Sequence, residues 1–127
     1  MGDRQIQIST DNLTVTATLN ELETANHLWD SLPITGRVQI WGDEIYFSIP
    51  LNVEEELGSQ ETVQAGTVAY WPPGSALCLF WGPTPISAPG EIRPASAVNV
   101  VGILDNDPTL LAQVTSEAEI IIEKIEG

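Results

Sequence analysis

Gly66-Thr67-Val68-Ala69-Tyr70-Trp71-Pro72-Pro73-Gly74-Ser75-Ala76-Leu77-Cys78-Leu79-Phe80-Trp81-Gly82-Pro83-Thr84-Pro85 reads as two strands and their punctuation. Thr67 to Trp71 is the first strand and Ala76 to Trp81 the second. Proline cannot donate to a ladder, so Pro72-Pro73-Gly74 marks the corner between them and Gly82-Pro83-Thr84-Pro85 the end of the pair. Stiff corners and apolar strands announce a mostly β domain.

The segments on either side carry the same message. Ile6 and Ile8, then Leu13, Val15, Ala17 and Leu19, alternate with polar residues across an Asp11-Asn12 turn, which predicts a hairpin. Asn20 to Leu32 reads as a helix, with Asn20 and Glu23 as a capping box and Ala25, Leu28, Trp29 and Leu32 as its buried stripe. His27, the only histidine, falls beside the stripe and reads as an exposed helix residue. Gly36 to Pro50 is a second hairpin about a Gly42-Asp43 turn. That turn sets Trp41 opposite Glu44, Ile40 opposite Ile45 and Gln39 opposite Tyr46. Val38, Ile40, Ile45 and Phe47 then face the core, and Arg37, Gln39, Trp41, Glu44, Tyr46 and Ser48 face outward. A solvated face seldom carries a Trp and a Tyr beside an Arg and a Gln, so this face is covered by a loop or lines a groove.

Ala97 to Leu104 has the near-continuous apolar run of a strand buried on both faces or nearly so. Asp107 caps a short helix over Pro108 to Gln113. Glu117 to Ile125 fits both a helical stripe and a strand face, and its isoleucines favour a final strand. Glu54-Glu55-Glu56 and Asp105-Asn106-Asp107 read as a solvated loop and as turn-and-cap chemistry rather than metal sites.

Composition bounds the function. The 127 residues are one domain's length and are read as one domain, 1–127, with a 43% apolar content that supports a core. A net charge of −14, from 18 acidic and 4 basic residues, argues against nucleic acid and anionic membrane surfaces as partners. Cys78 is alone, so no internal disulfide forms, and its apolar neighbours mark it as a buried, inert thiol. No stretch is long enough to span a bilayer, and the opening Met1 to Ile6 lacks an apolar leader core, so a cytoplasmic location is expected. No cofactor and no metal is expected.

The order of elements and the motifs together resemble the cyclophilin fold. Gly66-Thr67-Val68-Ala69-Tyr70 is similar to a Gly-Thr-Leu-Ser-Met strand of cyclophilins, Gly74-Ser75 and the strand after it to a Gly-Ser-Gln-Phe-Phe-Ile stretch, and Val100-Val101-Gly102-Ile103-Leu104 to a Val-Phe-Gly-Lys-Val strand. Trp41-Gly42-Asp43-Glu44-Ile45-Tyr46-Phe47, Tyr70-Trp71-Pro72-Pro73-Gly74 and Phe80-Trp81-Gly82-Pro83-Thr84-Pro85 resemble strings of a family of small prokaryotic cyclophilin-like proteins of uncharacterised function. The resemblance implies a closed antiparallel β-barrel capped by two helices. It does not imply an activity.

Carried over residue by residue, the proline pocket of cyclophilins is mostly lost. Its glutamine position becomes Ala76, the phenylalanine of its floor Cys78, its Ala-Asn pair Trp71-Pro72, and its histidine a position near Val98. An indole at Trp71 would fill the cavity. The catalytic arginine corresponds to Arg37 or to Gln39. The expected function is therefore binding of a small-molecule or peptide ligand in a groove on the outer face, lined by Arg37, Gln39, Tyr46, Ser48, Trp71 and Phe80, without the usual isomerase site. Two alternatives stand beside it. One is a weak or atypical peptidyl-prolyl isomerase. The other is an interaction protein whose Trp41, Trp71 and Trp81 form an aromatic patch that seeds a homodimer.

Overall fold

The computed structural model describes residues 4–125. Residues 1–3, where the reading of the N-terminus begins, and 126–127 lie outside the described residues. Nine strands form one sheet: β1 (Gln5–Thr10), β2 (Leu13–Leu19), β3 (Ile34–Arg37), β4 (Gln39–Ile40), β5 (Glu44–Ser48), β6 (Thr67–Trp71), β7 (Ala76–Phe80), β8 (Asn99–Leu104) and β9 (Glu119–Ile125). They run in the order β3-β9-β1-β2-β8-β6-β7-β5-β4, and every pairing is antiparallel. The sheet curls into a nearly closed barrel because its first and last strands are consecutive in the chain. At Val38 the backbone leaves β9, exchanging bonds with Glu117 N–H and the Ala118 carbonyl, and then joins β5.

Alternation fills the interior from every side. Ile6, Ile8, Val15, Ala17, Ile45, Phe47, Val68, Tyr70, Leu77, Leu79, Val101, Ile120 and Ile122 belong to one buried cluster. Helix α1 (Glu23–Ser31) adds Ala25 and Leu28, and the 3-10 turn Pro108–Gln113 adds Leu111. Residues packed this tightly carry the fold, at roughly 25 cal/mol per Å² of apolar surface removed from water.

Four local expectations are corrected. The helix starts at Glu23, not Asn20, and its entry is not a capping box. Asn20 instead accepts from Leu22 N–H and donates to the Val100 carbonyl, while Glu56 reaches across from its loop to accept from Thr24 N–H. Glu56 thus places a carboxylate at the helix's positive end. Asn99, fully buried, ties the same corner by donating to Thr24 Oγ1 and the Glu54 carbonyl and accepting from Glu56 N–H. Ile40 is 43% exposed, because β4 is an edge strand, while Ile45 opposite it lies between β4 and β7 and is fully buried. Ile103 on β8 is also exposed, at 53%, so this strand is not buried on both faces along its whole length. Pro108–Gln113 has the expected bounds and is a 3-10 turn, capped by Asp107, which accepts from Thr109 N–H.

His27 is exposed on α1. Asp107 is the local cap, whereas Asp105 reaches across to β1 and β2: burial works to raise its pKa, and hydrogen bonds from Thr18, Thr16 and Gln5 outweigh that and keep it low. Among the described residues, no helix is long and apolar enough to cross a membrane.

Candidate functional site

The barrel has a second apolar cluster on its outer face. Strands β5, β7 and β6 lie side by side there, with Tyr46 opposite Cys78 and Cys78 opposite Ala69. Their outward residues Tyr46, Ala69, Trp71, Cys78 and Phe80 pack with Val63, Ile92, Val98 and Val100. The last four come from loops or from β8, so the face is covered. The single bridges Gln60 to Val98 and Val63 to Ile92 hold that cover in place.

The covering loop is built from its own side chains. It leaves the end of β7 and is braced there by the Gly42-Asp43 turn, where Asp43 N–H donates to the Pro83 carbonyl and Trp81 N–H to the Asp43 carbonyl. Gly42 has φ +62, and a Cβ on it would stand 2.8 Å from Pro85 Cδ, so both backbone and packing require glycine there. Buried Thr84 donates to the Arg93 carbonyl, and Ser87 Oγ accepts from the N–H groups of Thr84 and Arg93. Arg93 pairs with Glu91 at 2.8 Å and with Glu61 at 3.8 Å. These bonds place Pro94 and Ala95 opposite the sheet.

Between loop and sheet lies a cavity of about 140 Å³, lined by Trp41, Glu44, Tyr46, Trp71, Cys78, Pro94, Ala95 and Val98. That is about the size of a cavity that holds benzene. One wall is fixed in advance. The Trp71 indole N–H donates to Ser96 Oγ at 2.7 Å, and the ring lies so close over Gly74 that a Cβ there would come within 2.5 Å of it.

Glu44 is the unusual member of the lining. Its residue is 4% exposed, and its Oε1 has no hydrogen-bond partner among the described residues. Burial raises its pKa from 4.5 to about 7, against a smaller lowering by the Cys78 thiol alongside. The carboxyl therefore exchanges its proton near neutrality, where a group can serve as donor, acceptor or counter-charge. Burial also pushes the Cys78 thiol well above its ordinary range, and the neighbouring carboxylate adds to the rise. Cys78 is thus a poor nucleophile, in keeping with the inert thiol read from the sequence. Among the described residues, no three His, Cys, Asp or Glu side chains are grouped to hold a metal ion.

The six residues expected to line a groove are divided by the structure. Tyr46 and Trp71 line the cavity. Phe80 is fully buried beneath the same face. Ser48 faces outward at the far end of β5, opposite Ala76. Arg37 and Gln39 are turned to the β9 side, where Arg37 donates to the Glu117 carbonyl and Gln39 to the Glu117 carboxylate. Trp41 and Glu44 belong to the cavity although neither was among the six. The hairpin register had put both on the outward face, and that was the available signal. Positions that correspond to the cyclophilin proline pocket, Trp71, Cys78 and Val98, all line this cavity. Trp71 forms its wall and leaves room beside it. Trp81 packs against the barrel's interior cluster, apart from Trp41 and Trp71.

Comparison with known proteins agrees with this architecture. A cyclophilin-like family model matches residues 4–123. The solved structure of the hypothetical protein AF2241 from Archaeoglobus fulgidus is similar at 40% identity and a TM-score of 0.82, over 97% of this chain and 95% of that one. No curated protein matches the chain. The chain belongs to the cyclophilin-like family.

Proposed function

We propose that the protein binds a small ligand, or a side chain of a peptide, in the cavity between β5–β7–β6 and the loop that covers them, and that it is not a conventional prolyl isomerase. One observation carries the reading. Glu44 presents a buried oxygen without a partner to a cavity whose other walls are aromatic and apolar. Leaving such a group unpaired costs on the order of 1–3 kcal/mol, a cost that a ligand reaching Glu44 would offset. Pockets that combine apolar area with one polar anchor are the usual form of small-molecule sites.

The isomerase reading is the weaker one. Arg37, the better charge match to the cyclophilin arginine, is engaged by Glu117 and does not line the cavity. A buried carboxyl and Cys78 occupy the floor instead.

A fragment screen by ligand-observed NMR on the wild type and on Ala95→Trp tests the proposal. Ala95 is exposed at the rim, so its enlargement blocks the cavity without touching the core. Hits that vanish in Ala95→Trp support the site. Hits that persist unchanged reject it. A protease-coupled assay on a short proline peptide is expected to show no rate above background.

A further inference from the structure

We propose that the cavity selects a small organic cation, an alkylated ammonium head group, with Glu44 as counter-charge and Trp41, Tyr46 and Trp71 as walls. The inference deepens the binding reading above and rests on it.

Four observations lead to it. First, Glu44 is the one acidic side chain among the lining residues, and no lysine or arginine lines the cavity with it. An anion there would meet a buried carboxylate with nothing to balance it. Second, three aromatic rings border the space, and tryptophan is the ring that attracts cations best. Third, the hydrogen-bonding groups are few. The Trp71 N–H is taken by Ser96, and the loop side offers Pro94, Ala95 and Val98. A primary ammonium has three N–H groups to satisfy, whereas a trimethylammonium head has none and asks only for π faces and a counter-charge. Fourth, a chain of net charge −14 draws cations toward its surface and repels anions.

The charged and titratable groups around Glu44 do not compete for that role. Cys78 faces it from β7 and is a thiol pushed away from ionising. Tyr46 is two residues along β5, and Asp43 sits in the turn before Glu44. Arg93, on the covering loop, is paired with Glu91 and Glu61.

The test uses choline and its neutral carbon isostere, 3,3-dimethyl-1-butanol, with benzoate as the anionic control. Binding is read by chemical-shift titration of the Trp41 and Trp71 indole N–H resonances and by calorimetry. At pH 8 choline is expected to bind at least about tenfold more tightly than the isostere, and benzoate not at all. Choline affinity falls by about tenfold per pH unit below the titration of Glu44, while the isostere's does not fall. Glu44→Gln loses the choline preference and keeps the isostere. Trp41→Ala, which leaves the carboxyl in place, weakens choline several-fold and serves if Glu44→Gln fails to fold. Equal binding of choline and isostere overturns the cation inference and leaves the pocket standing. Tighter binding of benzoate overturns it too. No shift with any of the three at millimolar concentration overturns the cation inference, while the fragment screen against Ala95→Trp decides the binding reading separately.

Discussion

The two faces of β5 differ by one residue of phase and by almost everything else. Ile45 and Phe47 point inward, are essentially unexposed, and belong to the apolar cluster that fills the barrel. Glu44 and Tyr46 point outward into a space closed by a loop rather than by a strand. The inner face is complete, packed by residues from all round the barrel. The outer face is covered yet leaves about 140 Å³ and one unpaired oxygen. Burial therefore has two meanings in this molecule. Inside it is the source of stability, and outside it is held at a cost to stability.

Four substitutions test that contrast. Phe47→Ala opens a hole in the complete face and is expected to destabilise the protein by about 4 kcal/mol in denaturant titrations, with the outer cavity's ligand profile unchanged. Glu44→Gln should act in the opposite direction. The folded state holds the Glu44 proton more tightly than the unfolded state does, because the pKa rises from 4.5 to about 7 on folding. Wild-type stability from this group is thus intact below pH 4.5, falls as pH climbs through that window, and stays low above about 7. At about 1.4 kcal/mol per unit, Glu44→Gln is expected to be roughly 3 kcal/mol more stable than wild type at pH 8 and to converge with it near pH 4.5. A variant less stable than wild type at pH 8 would show that the carboxylate is supported by its surroundings. Asn99→Ala removes the buried tie between α1 and the Glu54–Glu56 loop, and thermal unfolding should report a loss of about 2 kcal/mol. Trp71→Phe deletes one hydrogen bond to Ser96 and keeps an aromatic wall, for about 1 kcal/mol, and is the mildest of the four.

The contrast also explains what could be read from the chain. The inner face was legible because alternation and the Gly42-Asp43 turn fix it locally. The same register named Trp41, Glu44 and Tyr46 as neighbours on the outer face, and the structure keeps Gln39 opposite Tyr46 as expected. What the sequence does not show depends on distant chain. Arg37 and Gln39 are drawn to Glu117, some 80 residues on. Pro94, Ala95 and Val98 reach the cavity from a loop whose course is set by Thr84, Ser87 and Arg93, and no periodicity encodes that. Glu44 gives no sign in the sequence of being buried, since the burial is done by that loop. Asn20 and Glu23 have the spacing of a capping box, and nothing near them in sequence reveals that Glu56 reaches the helix from another part of the molecule.

One consequence follows from the continuity of β3 and β4 through Val38. They stand first and last in the sheet, yet a single short stretch, 34–40, supplies both. The ladder's two ends are thus buckled by the single residue Val38, and its bonds with Glu117 and Ala118 fasten the buckle. Among the described residues an invading strand from another chain finds only short edges, the four residues of β3 and the two of β4. A chain built almost wholly of strands thereby leaves little open edge for edge-to-edge polymerisation.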